Sequence, residues 1–317
     1  MKHIDELNLY CYLILGFNNY NMNHNLRTDQ QDDSPIQFMT WNIPAGLCDH
    51  DSWNDRVDRI VKLLSLLNPD IACLQKITGY ELRNKFIHNL NDIGYDVAYA
   101  PRNANEICTN NLIAYNRRRV SLYKTKNIQL MSKEKYIPDD ISNVNGFGTN
   151  LFLAYFSRCI EGQTVLGSKF VVGNVHFPMN KQSRLDCSQK LAEWCANNKT
   201  KKYIIGGALN SYTGNGYDEQ MEILEKSSTR VEDKGMCNGT EISGTFLGSE
   251  KDKFKFYAPK LDTVDHILYN SDFMRHSNTR FDARTMLEPE PELFSTRDLP
   301  SDHLPKMVDI TFNKFIV

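Results

Sequence analysis

The segment Tyr203-Ile204-Ile205-Gly206-Gly207-Ala208-Leu209-Asn210 decides how the chain is read. A short apolar run ends in paired glycines and then a polar asparagine. This is the pattern of a buried strand that empties into a loop. Loops at strand ends are where α/β scaffolds collect their working side chains. The same pattern recurs along the chain. Ile36–Asn42 reads as a strand ending in Trp41-Asn42, and Asp70–Gln75 as a buried strand leading into Leu74-Gln75-Lys76. Lys169–His176 ends in Asn174-Val175-His176, and Val264–Tyr269 contains Asp265-His266-Ile267. Met307–Phe312 follows the polar run Ser301-Asp302-His303-Leu304-Pro305.

Helical patterns separate these strands. Val57, Ile60, Val61, Leu64 and Leu67 fall at helical spacing within Asp55–Leu67, and Pro69 breaks the pattern. Tyr80–Leu90 and Ser183–Ala196 read as two more helices, and Tyr95–Ala100, Asn111–Tyr115 and Leu151–Arg158 as further strands. The polar stretch 125–148, with Gly and Pro, predicts a long surface loop. Strands mixed with helices in this order predict an α/β fold with two sheets packed face to face and helices outside. Residues 18–35 are rich in Asn, Gln and Asp without apolar periodicity. Residues 1–35 are therefore expected to be a flexible lead-in, and 36–317 one folded domain.

Bulk properties narrow the function. The chain has 317 residues and a formal charge of −2, from 37 Lys+Arg against 39 Asp+Glu. That balance does not demand a nucleic-acid partner, since a generic binder carries a basic excess. The clusters Arg117-Arg118-Arg119 and Lys199, Lys201, Lys202 read as solvated turn residues. The apolar run Leu7–Phe17 is too short to span a membrane. It follows Asp5 and Glu6 rather than a basic start, which argues against a signal peptide. The 8 cysteines include no CxxC pair, so a zinc or redox motif is not expected. Read as reduced thiols, they favour a cytoplasmic or nuclear compartment.

Singly, each polar motif is weak: an asparagine at a strand end is usually a turn residue, and a lone histidine is usually structural. Together and in this order they resemble the endonuclease/exonuclease/phosphatase superfamily, over about residues 36–313. The resemblance implies a DNase I-like, four-layer α/β-β/α sandwich and hydrolysis of phosphoester bonds with magnesium. It implies that Asn42 helps hold the metal and water shell, His176 contacts phosphate, and Asn210 completes a Gly-Asp-x-Asn motif. Asp265, with Asp262 as the alternative, would orient the catalytic histidine His303, and Asp302 would be a metal-shell carboxylate. Trp53 and Arg56 match the family's W-x-x-R start, and Arg184 a second arginine common in the family. The run Pro300-Ser301-Asp302-His303-Leu304-Pro305 and Gly244-Thr245-Phe246 look more like the deadenylase and 2′,5′-phosphodiesterase branch, or general family members, than the abasic endonucleases.

Two positions depart from the family pattern. Lys76 stands where the metal-binding glutamate belongs, and Ala208 where the water-positioning aspartate belongs. Magnesium wants oxygen ligands, one or two of them carboxylates, and the attacking water needs a base or orienting acceptor. Like unit charges about 4 Å apart repel by roughly 4 kcal/mol at an effective dielectric of about 20. An ammonium at 76 therefore opposes a divalent ion, and could itself fill the cation site beside Asp302 and Asn42. Three readings follow. One is a non-catalytic module keeping a cleft for a phosphate-containing ligand such as a nucleotide or nucleic acid. Another is a divergent phosphodiesterase in which Asp49, Asp51 or Glu106 reaches the metal. The third is a scaffold whose cleft residues form only a hydrogen-bonded floor. Phe177 and Tyr212 could stack on a base, though the core or rim reading is favoured. A monomer is expected.

Overall fold

The structure, a computed structural model, describes residues 34–43, 53–77, 80–99, 110–131, 149–160, 162–211, 218–231, 234–237, 240–243, 264–281, 303 and 305–313. In chain order the elements are β1 (Ile36–Asn42), α1 (Trp53–Leu67), β2 (Ile71–Ile77), α2 (Tyr80–Asp92), β3 (Tyr95–Tyr99) and β4 (Asn110–Asn116). Next come β5 (Val120–Gln129), β6 (Asn150–Ile160), β7 (Gln163–Thr164), β8 (Phe170–His176), α3 (Lys181–Asn197) and β9 (Tyr203–Ala208). The last are α4 (Glu219–Glu225), β10 (Thr229–Arg230), β11 (Lys234–Cys237), β12 (Thr240–Ser243), β13 (Asp265–Tyr269), β14 (Met274–Phe281) and β15 (Lys306–Phe312).

The strands build two large sheets. One runs β14-β15-β1-β2-β4-β3; the other runs β10-β13-β9-β8-β6-β5, with β7 paired to β6. Each has a parallel pair at its centre, β1/β2 and β8/β9, flanked by antiparallel partners. Side-chain alternation sorts the strands into layers. On β1, Ile36 and Phe38 enter the core between the sheets, and Met39 and Trp41 the core on the helix side. The inter-sheet core joins Phe38, Cys73 and Ile113 to Phe156, Val172, Ile204 and Ile267. Val57, Ile60 and Leu64 of α1 and Phe86 and Leu90 of α2 cover the outer face of the first sheet. Cys187, Leu191 and Cys195 of α3 and Leu224 of α4 cover the second. The result is the four-layer α/β-β/α sandwich that the sequence predicted.

The two sheets meet closely at the end that carries the polar motifs. A Cβ on Gly206 would lie 2.9 Å from the Phe38 ring and from Thr40 Cβ in the opposite sheet. Only a residue without a side chain permits that approach. Asn174 of β8 crosses the same seam: its Nδ2 donates to Leu74 O at 3.0 Å and Leu112 O at 2.7 Å. Its Oδ1 faces Gln75 Nε2 at 2.9 Å, and Gln75 Nε2 also approaches Thr40 Oγ1 at 3.0 Å. Buried polar groups cost little only when paired, and here they pair across the layers.

Most predicted elements lie within a few residues of those observed, with two corrections. The expected surface loop 125–148 begins as strand: β5 runs through Gln129 and pairs with β6 over its length. It lies at a sheet edge with most side chains in water, so it lacks a strand's usual apolar alternation. Residues 132–148 lie outside the described residues, as do residues 1–33 of the expected lead-in. The arginine cluster is also not simply solvated. Arg119 Nε sits 2.9 Å from Asp70 Oδ1 and its Nη2 2.9 Å from Ser34 Oγ, tying the start of the domain to the β4–β5 turn. The described cysteines Cys73, Cys159, Cys187 and Cys195 are buried free thiols, and burial pushes Cys187 and Cys195 up to about 12. No helix among the described residues is long and apolar enough to cross a membrane.

Candidate active site

Strand register brings the polar motifs together. Parallel pairing sets His176 beside Ala208, and antiparallel pairing sets Ala208 beside Asp265, so the three form one row at the end of the second sheet. In the first sheet, Asn42 pairs with Gln75, and Lys76 follows. His303 bridges the two rows. Its Nδ1 lies 2.6 Å from Asp265 Oδ2, and its Nε2 lies 3.1 Å from Asn42 Nδ2. The Trp41 indole donates to the His303 carbonyl at 2.8 Å, fixing the backbone at that point. Asp265 is wholly buried and His303 nearly so. The Asp265 carboxylate takes the hydrogen on Nδ1, and Nε2 faces the Asn42 amide across the seam.

Lys76 owes its placement to a local irregularity. The β2/β4 register shifts between Leu74 and Ile77, and Lys76 has φ 62. This is a bulge with a non-glycine residue in the left-handed region, a conformation that costs about 1–2 kcal/mol. Asn174 accepts that irregularity by bonding the Leu74 and Leu112 carbonyls beside it. The bulge carries the half-buried Lys76 toward the second sheet, where its ammonium acts on His176. Burial first, then the Lys76 charge, then His303 hold the His176 imidazole well below its ordinary 6.5. His176 Nε2 is buried and has no hydrogen-bond partner among the described residues.

Asn210 lies on the loop after β9 with φ 53. Its Nδ2 donates to Phe177 O at 2.6 Å, and its backbone N–H and that of Leu209 both reach Val264 O. It therefore ties the loops after β8 and β9 and before β13 to one another. Gln220 Nε2 braces the same loop through Leu209 O at 2.9 Å. Phe177 is fully buried in the α3-side core, which rules out base stacking there. Arg184 donates to the Met179 carbonyl next to its own helix, and Arg56 is buried. Asp302, Asp262, Asp49, Asp51, Glu106 and Tyr212 lie outside the described residues. The Trp41 indole and the Gln75–Asn174 clamp were not expected as supports. Their signal was present in the motifs that name them, but nothing in a strand-end motif says which side chain faces the seam.

Among the described residues no three His, Cys, Asp or Glu side chains converge as a metal site. The described donors are one carboxylate already committed to His303, two imidazoles, amides and an ammonium.

Comparison with known proteins agrees with the geometry. A search of curated proteins finds no match. Among solved structures, a conserved protein of unknown function from Enterococcus faecalis V583 superposes with TM-score 0.66 at 17% identity, covering 88% of this chain and 100% of that one. A Bacteroides thetaiotaomicron mannosyl-6-phosphatase gives TM-score 0.61 at 16% identity, covering 87% of this chain and 100% of that one. The human Nocturnin catalytic domain with bound sulfate gives 0.59 at 16%, covering 88% and 95%. At these identities the likeness is one of fold. The model of the Endonuclease/Exonuclease/phosphatase family matches residues 39–303, from within β1 to His303, and so takes in Asn42, His176, Asn210, Asp265 and His303. With two helix-covered sheets and a His303 held between Asp265 and Asn42 where they meet, this chain belongs to the endonuclease/exonuclease/phosphatase family.

Proposed function

We propose that the chain is a phosphate-binding member of its family that has lost the metal-dependent hydrolysis, its cleft holding a phosphate-containing ligand without turning it over. The carrying observation is the pair of residues at the cleft floor. Lys76 brings a positive charge onto His176, and Ala208 puts a methyl between His176 and Asp265. The first opposes a divalent cation, and the second removes the group that would hold an attacking water. Loss of a general base alone costs about 10²–10⁴ in rate. The Lys76 charge, with the unpaired His176 Nε2 beside it among the described residues, suits a tetrahedral anion. The bound sulfate of the Nocturnin domain and the sugar phosphate named for the Bacteroides enzyme support that ligand chemistry.

The test is calorimetric titration with magnesium and manganese beside hydrolysis of bis-(p-nitrophenyl) phosphate. The unmodified chain should bind neither metal at millimolar concentration and show no turnover, while inorganic phosphate or a nucleotide binds in EDTA and loses affinity in Lys76→Ala. Divalent-dependent turnover by the unmodified chain sinks the reading. The intact Asp265–His303 pair supports a second one, a divergent magnesium-dependent phosphodiesterase. It requires metal binding, and turnover abolished by His303→Ala.

A further inference from the structure

Away from the cleft floor, the edge of the second sheet carries exposed lysines beside tyrosines. Tyr123 of β5 is 49% exposed, and its ring lies 6.2 Å from that of Tyr155 on β6 at an interplanar angle of 58°. Lys169 Nζ stands 5.4 Å from the Tyr123 ring centroid and Lys124 Nζ 5.6 Å from that of Tyr155. Lys124 pairs with Tyr155 and Lys126 with Leu153. Leu153 and Tyr155 belong to the core on the helix side, so both lysines stand on that same outer face. Lys124, Lys126 and Lys169 are exposed, and no ion pair engages them among the described residues. Arg117 and Arg119 at the neighbouring turn, by contrast, face Asp96 and Asp70.

The sequence accentuates the asymmetry. The strands β5, β6 and β8 themselves contain no Asp or Glu, whereas Glu161 between β6 and β7, and Glu134, Asp139 and Asp140 after β5, lie outside the described residues. Exposed lysines with no ion pair among the described residues attract an anion. Two tyrosines flanked by lysines add a stacking platform, and every nucleobase offers a π-face whatever its identity. None of the exposed residues of β5 is aliphatic, whereas attachment to a lipid surface needs apolar area to bury.

We propose that this face binds single-stranded nucleic acid without sequence preference: Tyr123 and Tyr155 stack bases, and Lys124, Lys126 and Lys169 contact phosphates. The site is separate from the cleft. It does, however, continue toward it, since β5 ends opposite Asn150, and Leu151 pairs with Val175 beside His176.

The test is fluorescence anisotropy of a labelled oligouridylate with the full chain in EDTA, at low and moderate salt. Binding should weaken with salt, fall about tenfold or more in Lys124→Glu/Lys126→Glu, and fall about fivefold or more in Tyr123→Ala. These residues are exposed, so circular dichroism melts should match the unmodified chain, and Lys201→Glu elsewhere on the surface should leave binding unchanged. Absence of binding, or binding indifferent to the three patch substitutions, overturns the proposal. Binding abolished by Lys76→Ala but not by Lys124→Glu/Lys126→Glu also overturns it, since it places the oligomer in the cleft. Capture by phosphatidylserine vesicles without oligouridylate binding overturns it in favour of a lipid surface.

Discussion

Ala208 stands directly across an antiparallel ladder from Asp265, its methyl fully buried at the floor of the cleft. An aspartate there would place a second carboxylate beside the one that already holds His303. Ala208→Asp alone should destabilise the fold by about 1–3 kcal/mol through an uncompensated buried charge. Combined with Lys76→Glu, it should create a site that magnesium stabilises. Ligand at about 100 times its dissociation constant adds about 2.7 kcal/mol, a rise of roughly 5 °C in the melting temperature for a chain of this size. Thermal melts with and without magnesium check this, and the unmodified chain should show no rise.

Asn174 should behave as a structural clamp rather than as part of the reactive row. Asn174→Ala removes the donor to two carbonyls at the bulge and the acceptor for Gln75. Leaving those groups buried and unpaired should cost about 2–4 kcal/mol. Urea denaturation should show the loss in the midpoint. Asn174→Asp should not restore stability, because a carboxylate cannot donate to the two carbonyls.

The buried imidazole of His176 makes stability depend on pH in a defined direction. Its folded value lies well below the ordinary 6.5, so below that pH the unfolded chain takes up a proton that the folded chain refuses. The contribution is present above about pH 6.5 and is lost as pH falls toward the folded value. Urea midpoints measured from neutral to mildly acidic pH should therefore decline. His176→Gln should reduce the slope by up to about 1.4 kcal/mol per pH unit. A slope unchanged by the substitution would show that other groups dominate.

Gly206 is set by contact rather than by backbone angle. A methyl there would meet the Phe38 ring and Thr40 at 2.9 Å. Gly206→Ala should cost about 1–3 kcal/mol by overpacking. A compensating Phe38→Leu should recover part of it, measured by a double-mutant cycle. Gly207→Ala should be worse and not rescued this way, because its methyl would fall 2.0 Å from the Val175 carbonyl oxygen.

What was legible in the sequence follows burial. The central strands β1, β8 and β9 are covered on both faces, so their apolar runs announced them, along with the polar residues Asn42 and His176 that end the first two and Asn210 just after the third. β5 was misread because an edge strand half in water resembles a loop. The motifs named His176, Asp265 and His303, but not that His303 would reach across to Asn42, since that contact spans 261 positions of sequence. Likewise nothing local signals the left-handed backbone at Lys76, where a lysine occupies a conformation that glycine or asparagine would favour. Asn174 and Gln75 were visible as motif members, and only the closeness of the sheets turns them into a fastening.

That fastening has a kinetic consequence. With Gly206 pressed on Phe38 and Asn174 bonded to carbonyls of the opposite layer, the two halves cannot slide or hinge at the floor. For the phosphate-containing ligand proposed above, the floor is then preset and adds no slow rearrangement of its own, so the floor's part in binding should be governed by charge attraction.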